Sequence, residues 1–181
     1  MSEDRLRLFV ALALPENVRC ELSRWRPAME GLRFVAAQDL HVTLCFLGSL
    51  DAGAVPGVVR ECGAVAGMAA APLTVGEALW LPRRAPRVLA VALHDRGGGL
   101  GAVQSRLAGA LAQAGLYRPE ARPFLPHATV ARVRRGARVR AVALEDPPPV
   151  QFVGRELTVF RSRLGAGGAR YEALGSVVLG G

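Results

Sequence analysis

The sequence contains no lysine, so all 23 basic residues among its 181 positions are arginine. A chain without lysine cannot form a lysyl adenylate or a pyridoxal phosphate Schiff base, and it cannot supply the phosphate-binding lysine of a Walker A loop or a protein kinase. The formal net charge of +8 favours an anionic partner. Asparagine occurs only once, so the arginine bias partly reflects general residue usage, and the charge alone is weak evidence for nucleic-acid binding.

Cysteine is scarce too, and the three residues are Cys20, Cys45 and Cys62. Their number is odd, no CxxC pair occurs, and nothing resembles a secretory leader, so we expect a reduced, cytoplasmic protein. Long hydrophobic runs are absent as well. The opening run from Leu6 to Leu14 contains Arg7 and stops at Pro15, which is far too short to cross a bilayer. We therefore expect no membrane partner.

The length fits about one domain, and a hydrophobic content of 51% is sufficient for a packed core. Runs rich in β-branched and aromatic residues predict strands over Arg5–Ala13, His41–Leu47, His127–Val133 and several shorter segments. Apolar residues at helical spacing predict helices over Pro15–Met29 and Gly97–Gly115. The strands and helices mix without strict alternation, which favours an α+β fold over a doubly wound parallel sheet.

One short motif occurs twice. His41-Val42-Thr43-Leu44 and His127-Ala128-Thr129-Val130 share the form His-x-Thr-apolar, lie 86 residues apart, and both fall in predicted strands. Side chains two apart on a strand share a face, so each copy places an imidazole and a hydroxyl about 6.5–7 Å apart. With three histidines and four threonines, random placement produces such a pair with a probability of about one in 700.

These residue types suit cleavage of an activated phosphodiester. At neutral pH one histidine can act as a general base while the other, protonated, acts as a general acid. Threonine hydroxyls can donate hydrogen bonds to the non-bridging phosphate oxygens. A strained 2′,3′-cyclic phosphate is a suitable substrate, and this chemistry requires neither a metal nor a cofactor. The residue types leave open which histidine is the acid.

The paired motifs resemble the two-histidine phosphoesterase superfamily, and the surrounding strings RLFVALALP, DLHVTLCFLG and RPFLPHATVAR are similar to its RNA 2′,3′-cyclic phosphodiesterase branch, historically called 2′-5′ RNA ligases. The resemblance implies one bilobal domain over residues 1–181, with one motif in each lobe. It also implies two antiparallel sheets, related by a pseudo-twofold, that flank a basic central cleft, with helices on the outside.

The resemblance further implies hydrolysis of RNA-terminal 2′,3′-cyclic phosphate to a 2′-phosphomonoester. His41 is then the proton donor to the leaving 3′ oxygen, and His127 is the proton acceptor that activates water. Thr43 and Thr129 bind the phosphate. Any 2′-5′ joining is ATP-independent reversal of the hydrolysis, because no lysine can be adenylylated.

Two further residues are predicted to bind the substrate. By resemblance Arg132 helps to hold the phosphate, although strand alternation points it away from His127 and Thr129 unless the strand ends or bulges. Phe124, close to His127 in the sequence, can stack on a terminal base. Other aromatic residues that could stack are Phe46, Trp80 and Tyr171.

Three remaining features have ordinary structural interpretations. His94 is expected at a strand end on the surface, the alternative being a zinc site with His41 and His127. Cys45 has the strand parity of His41 but is expected to be a small buried hydrophobe rather than a nucleophile. The segment 97–101, GGGLG, lacks both lysine and GxGxxG spacing and is expected to begin a helix rather than bind a phosphate.

Two other functions remain open. A non-enzymatic RNA-binding module would use the same basic cleft, and a phosphodiesterase for a small cyclic nucleotide, such as an ADP-ribose cyclic phosphate, would use the same two histidines. The expected partners are RNA ends or small cyclic phosphate nucleotides, and the chain is expected to be a monomer.

Overall fold

A computed structural model describes residues 5–165 and 168–180. The α-helices of this part are α1 (Glu16–Arg24), α2 (Val55–Cys62) and α3 (Gly99–Gln113). The strands are β1 (Arg5–Ala13), β2 (Leu32–Phe34), β3 (His41–Asp51), β4 (Pro72–Leu81), β5 (Val88–His94), β6 (His127–Val133), β7 (Gln151–Val153), β8 (Glu156–Gly165) and β9 (Gly168–Val178). The expected α+β class is confirmed.

The described strands form one antiparallel sheet in which the strands do not follow their order in the chain. Its order is β7-β4-β5-β6-β3-β1-β8-β9, and the short β2 pairs with β6 beside this path. At the centre of the sheet, β3 and β6 are joined through a single residue pair, Val42 and Ala128. The strand pairing between the β7-to-β6 half and the β3-to-β9 half is therefore confined to one narrow junction.

Two separate sheets were expected, and this is wrong: the halves belong to one sheet because β3 and β6 pair at that junction. A sequence shows that two strands each carry a motif, but not that the strands are neighbours. Strand pairing across 86 residues is a long-range contact that local patterning does not report.

Both central strands carry a bulge at the same point of the repeated motif. Along β1 and β3 the pairing moves from Ala11–Thr43 to Val10–Cys45 and skips Leu44. Along β5 and β6 it moves from Ala90–Thr129 to Leu89–Ala131 and skips Val130 in the same way. An extra residue resets strand alternation, so side chains beyond each bulge change face.

The core lies beneath the sheet, between its apolar face and the helices. Helix α1 buries Val18 and Leu22, and α3 buries a stripe formed by Leu100, Val103, Leu107, Ala108 and Leu111. The start of α3 at Gly99 confirms that the glycine-rich segment begins a helix, and the Asp95 carboxylate accepts a hydrogen bond from the Gly101 amide at 2.9 Å. In the described ranges, no helix has the length and apolar character that a membrane span needs.

Several element boundaries differ from the prediction for identifiable reasons. The first helix stops at Arg24 instead of Met29, because Arg26 precedes Pro27 and a residue before proline disfavours the helical conformation. The strand from His41 was expected to stop at Gly48. It continues to Asp51, because β1 still pairs with it there and Gly48 adopts a φ of +74°.

Candidate functional site

The two copies of the motif lie side by side at the junction of the sheet. The Val42–Ala128 pair is antiparallel, so each histidine lies opposite the threonine of the other copy. The side chains on either side of this pair enclose a central pocket of about 40 Å³. It is lined by Val35, Asp39, His41, Thr43, His127, Thr129, Arg132 and Tyr171.

Both imidazoles are held in the same way. Nδ1 of His41 lies 2.7 Å from the carbonyl oxygen of Asp39, and Nδ1 of His127 lies 2.7 Å from that of Leu125. A carbonyl only accepts hydrogen bonds, so each ring carries its proton on Nδ1 when neutral. This leaves Nε2 of each ring to accept a proton when neutral or to donate one when protonated.

His41 is packed among aromatic rings. Phe9 stacks on it with ring centroids 4.9 Å apart, Tyr171 meets it edge-on at 5.1 Å, and Phe160 lies at 6.1 Å. This burial lowers the pKa of His41 below its usual value of 6.5, although the Asp39 carbonyl opposes the shift. The positive charge of Arg132 lowers the pKa further. The unliganded site therefore favours a neutral His41.

His127 faces a wider space, the His127 groove of about 1000 Å³. Thr129, Phe124 and Tyr117 are among the residues that line it. Phe124 thus lies along the same groove as the second motif, half-buried, instead of in the central pocket. The two histidines therefore have different surroundings, one enclosed by rings and one beside an open groove.

The bulge at Val130 decides the position of Arg132. Strict alternation from His127 points Arg132 away from the site, but the skipped residue places two buried side chains in succession, at Val130 and Ala131. Arg132 returns to the face of the motif and lines the central pocket. The condition stated from the sequence, a bulge in this strand, is met.

The equivalent bulge at Leu44 changes the position of Cys45. Its expected parity with His41 is wrong, because the bulge moves Cys45 into the core, where it is fully buried. Burial raises the pKa of this thiol to about 12, so the thiolate that a nucleophile requires does not form near neutral pH. The expected role as a small buried hydrophobe agrees with this position.

A second cavity, the arginine cavity, adjoins the central pocket on the His41 side. It has a volume of about 230 Å³ and its lining includes Arg7, Phe9, Arg33 and Tyr171. Sequence reasoning missed Arg7, Phe9 and Arg33. The alternation in β1 places Arg7 and Phe9 on one face, but only the pairing of β1 with β3 shows which face that is.

The remaining aromatic candidates fall into two groups. Trp80 is buried, and its indole N–H donates to the Val142 carbonyl at 2.9 Å, so it is a core residue. Phe46 is 41% exposed, lines both the arginine cavity and the His127 groove, and lies 4.7 Å beneath the Arg7 guanidinium. Tyr171, considered as a base-stacking residue, lies against the ring of His41.

His94 lies at the surface end of β5 and pairs with Glu77, with Nε2 of His94 3.0 Å from Oε2 of the carboxylate. Across residues 5–165 and 168–180, no three His, Cys, Asp or Glu side chains are grouped as a metal site requires. The alternative of a zinc site built from His41, His94 and His127 therefore does not fit this arrangement.

The sequence and the fold are similar to those of known proteins. The chain is 32% identical over 187 residues to the RNA 2′,3′-cyclic phosphodiesterase of Escherichia coli K12, covering 96% of each protein. The crystal structure of E. coli LigT in apo form matches with a TM-score of 0.80 at 28% identity, covering 98% of this chain and 99% of that one. The LigT complex with 3′-AMP matches with a TM-score of 0.81 at 29% identity, covering 97% and 99%. The sequence profile of the 2′-5′ RNA ligase superfamily matches residues 14–166. The chain therefore belongs to the 2′-5′ RNA ligase superfamily.

Proposed function

We propose that this protein is an RNA 2′,3′-cyclic phosphodiesterase that converts a terminal cyclic phosphate into a 2′-phosphomonoester through acid–base catalysis by His41 and His127. The observation that carries the proposal is the central pocket, in which both imidazoles have Nδ1 held by a backbone carbonyl and Nε2 left for proton transfer. The whole-length similarity to the E. coli enzyme supports the same substrate class.

The proposed reaction is a single in-line displacement at phosphorus. Nε2 of neutral His127 removes a proton from water, and the water oxygen forms a bond to phosphorus. The bond from phosphorus to O3′ breaks on the opposite side, and Nε2–H of protonated His41 gives its proton to O3′. The products are a 2′-phosphomonoester and a free 3′ hydroxyl, and the two histidines have exchanged protonation states.

The remaining pocket residues stabilise the charge that develops on the phosphate. The hydroxyls of Thr43 and Thr129 donate hydrogen bonds to the two non-bridging oxygens, and the Arg132 guanidinium supplies a positive charge beside them. Phe124 is proposed to contact the RNA from the His127 groove. With a 5′ hydroxyl in place of water, the same groups support ATP-independent 2′-5′ joining.

The assignment of His41 as the acid requires its imidazole to be protonated once substrate is bound. In the unliganded site, burial lowers its pKa and disfavours the protonated form. The negative charge of a bound phosphodiester acts in the opposite direction and favours the imidazolium. Substrate binding therefore raises the pKa of His41 and favours the protonated form that a general acid requires.

This charge effect predicts different pH profiles for kcat/KM and kcat. The kcat/KM profile reports the free enzyme, so one of its two apparent pKa values should be the lowered pKa of His41 and lie below 6.5. The kcat profile reports the complex, in which the pKa of His41 should lie higher. Both profiles can be measured with one cyclic-phosphate substrate. The same two apparent pKa values in both profiles would contradict the role of the bound phosphate in protonating His41.

The activity itself is tested with an RNA oligonucleotide that ends in a 2′,3′-cyclic phosphate and carries a 5′ label, incubated with the protein in EDTA. We expect hydrolysis to continue without divalent metal and the product to resist a phosphatase specific for 3′-phosphates. A product sensitive to that phosphatase would contradict the direction of ring opening. RNA binding without any product would favour the non-enzymatic module instead.

We further propose that residues 1–181 act as one bilobal domain whose halves are related by a pseudo-twofold through the β3–β6 junction. The matching bulges support this relation, because Ala11–Thr43 corresponds to Ala90–Thr129 in the two halves. We also propose that the protein is a monomer and that it acts in the cytoplasm; the three free cysteines support the second proposal, because disulfides are rare in that compartment. A phosphodiesterase for a small cyclic nucleotide remains the second candidate, since the pocket recognises the cyclic phosphate itself.

A further inference from the structure

Three arginines line the arginine cavity, Arg7, Arg33 and Arg132, and Ser162 lines it too. Arg132 also lines the central pocket, so Arg7 and Arg33 are the two that belong to the arginine cavity and not to the central pocket. In the part of the chain that the structure describes, no Asp or Glu lines this cavity. Guanidinium groups bind phosphate through paired N–H donors and a fixed charge. The lining is therefore complementary to an anion in addition to the one in the central pocket.

Arg7 is held in place by a ring rather than by a carboxylate. Its guanidinium lies over Phe46 at 4.7 Å, and across the described residues it makes no ion pair. Its positive charge is thus not neutralised by a neighbouring acidic side chain. An oriented, uncompensated guanidinium at the wall of a cavity attracts a negatively charged ligand group.

Arg33 reaches the cavity from the opposite half of the sheet. It lies on β2, which pairs with β6, and its guanidinium packs against Gly168 at the start of β9. Gly168 adopts a φ of +111°, and a Cβ there would overlap the guanidinium. A glycine at this point therefore allows the two halves to meet around the cavity.

The stereochemistry of the proposed reaction places the substrate's own nucleotide on this side. The leaving O3′ remains attached to the ribose that carried the cyclic phosphate, and His41 must reach that oxygen. In-line displacement puts water on the other side of phosphorus, toward His127. The ribose and its O5′ substituent therefore lie beside His41, which also lines the arginine cavity.

We infer that the arginine cavity binds the phosphate on O5′ of the nucleotide that carries the cyclic phosphate. This inference rests on the proposed function and adds a specificity element to it. The cavity makes the enzyme prefer substrates with an O5′ phosphate over a nucleoside cyclic phosphate that has none. An internal RNA phosphodiester and the 5′ phosphate of a small nucleotide share this chemistry.

The test compares three substrates: adenosine 2′,3′-cyclic phosphate, the same compound with a 5′ phosphate, and the dinucleotide ApA ending in a cyclic phosphate. Arg7→Gln removes one guanidinium, and Arg84→Gln, in the exposed β4–β5 turn, is the matched control. We expect Arg7→Gln to lower kcat/KM by about tenfold or more on the two substrates with an O5′ phosphate. On adenosine 2′,3′-cyclic phosphate we expect a loss smaller than about threefold. Arg7→Lys should restore part of the preference.

Equal losses on all three substrates, or no loss on any, would overturn the inference. So would a wild-type protein that hydrolyses adenosine 2′,3′-cyclic phosphate as well as the other two. A wild-type protein that hydrolyses none of them refutes the proposed function instead, and the two failures are thereby distinguished. Preference for the dinucleotide over the 5′-phosphorylated monomer assigns the cavity to RNA, and the reverse order assigns it to a small nucleotide.

Discussion

Replacing either pocket histidine by alanine is expected to lower kcat/KM for an RNA cyclic phosphate by about 10² to 10⁴-fold. Each ring has Nδ1 held by a carbonyl at 2.7 Å, so each presents one nitrogen to the substrate and has one proton-transfer task. His127→Ala leaves the attacking water without a base. His41→Ala forces the 3′ oxygen to leave as an unprotonated alkoxide, which is a poor leaving group.

The same two variants separate the acid from the base. A phosphodiester whose leaving group is 4-nitrophenolate needs little protonation on departure, so it bypasses the acid. We expect His41→Ala to recover most of its lost rate on this substrate and His127→Ala to remain impaired. The opposite pattern would exchange the two roles. Near-full activity of both variants on RNA would refute the proposed site.

His94→Ala is the matched control for these measurements. His94 lies on the surface beside Glu77 and takes no part in the central pocket, so its loss should leave kcat/KM unchanged. RNA affinity should survive in both pocket variants, because the arginines around the cleft remain. If the variants still bind RNA but form no product, while the wild-type protein turns substrate over, the protein is an enzyme and not a binding module.

The second large effect is expected at the threonines. Thr43→Val and Thr129→Val replace a hydroxyl by a methyl group of similar size on a strand that accommodates β-branched residues. Each change removes one hydrogen bond to a phosphate oxygen whose charge increases in the transition state. Loss of one such donor lowers kcat by about 10² to 10³-fold. Steady-state kinetics on the cyclic-phosphate oligonucleotide measures this effect.

Thr74→Val, on β4 and outside the central pocket, is the control for the same chemical change. It should leave kcat and KM unchanged. A rise in KM alone in Thr43→Val or Thr129→Val would show that the hydroxyls bind ground state and transition state equally. That result would contradict a role in stabilising developing charge.

Strict alternation of side chains along β3 and β6 predicts the correct face for the residues that precede the bulge in each motif. For the residues after the bulge it predicts the wrong face. It correctly places His41 with Thr43, and His127 with Thr129, because no irregularity separates the members of either pair. It fails at Cys45, since the bulge skips the residue before it. A bulge depends on how the partner strand aligns, and the bulged strand's own sequence does not encode that alignment.

The arginine cavity shows a second limit. Arg33 and Gly168 are 135 positions apart and meet because β2 joins one half of the sheet and β9 the other. Nothing near either residue in the chain signals the contact. Surface arginines and hairpin glycines are common in basic proteins. Only the contact between these two residues shows that they form part of the arginine cavity.

The residue types and their spacing predict the kind of chemistry that this protein performs. A repeated imidazole–hydroxyl pair on strands, in a chain without lysine, favours the prediction of acid–base attack on a phosphodiester, and this prediction is possible from sequence because side-chain type and two-residue spacing are local properties. The tertiary structure alone decided that both pairs share one pocket, that Arg132 turns into it, and that one histidine is enclosed while the other faces an open groove. Those features arise from strand pairing and burial, which join residues far apart in the chain.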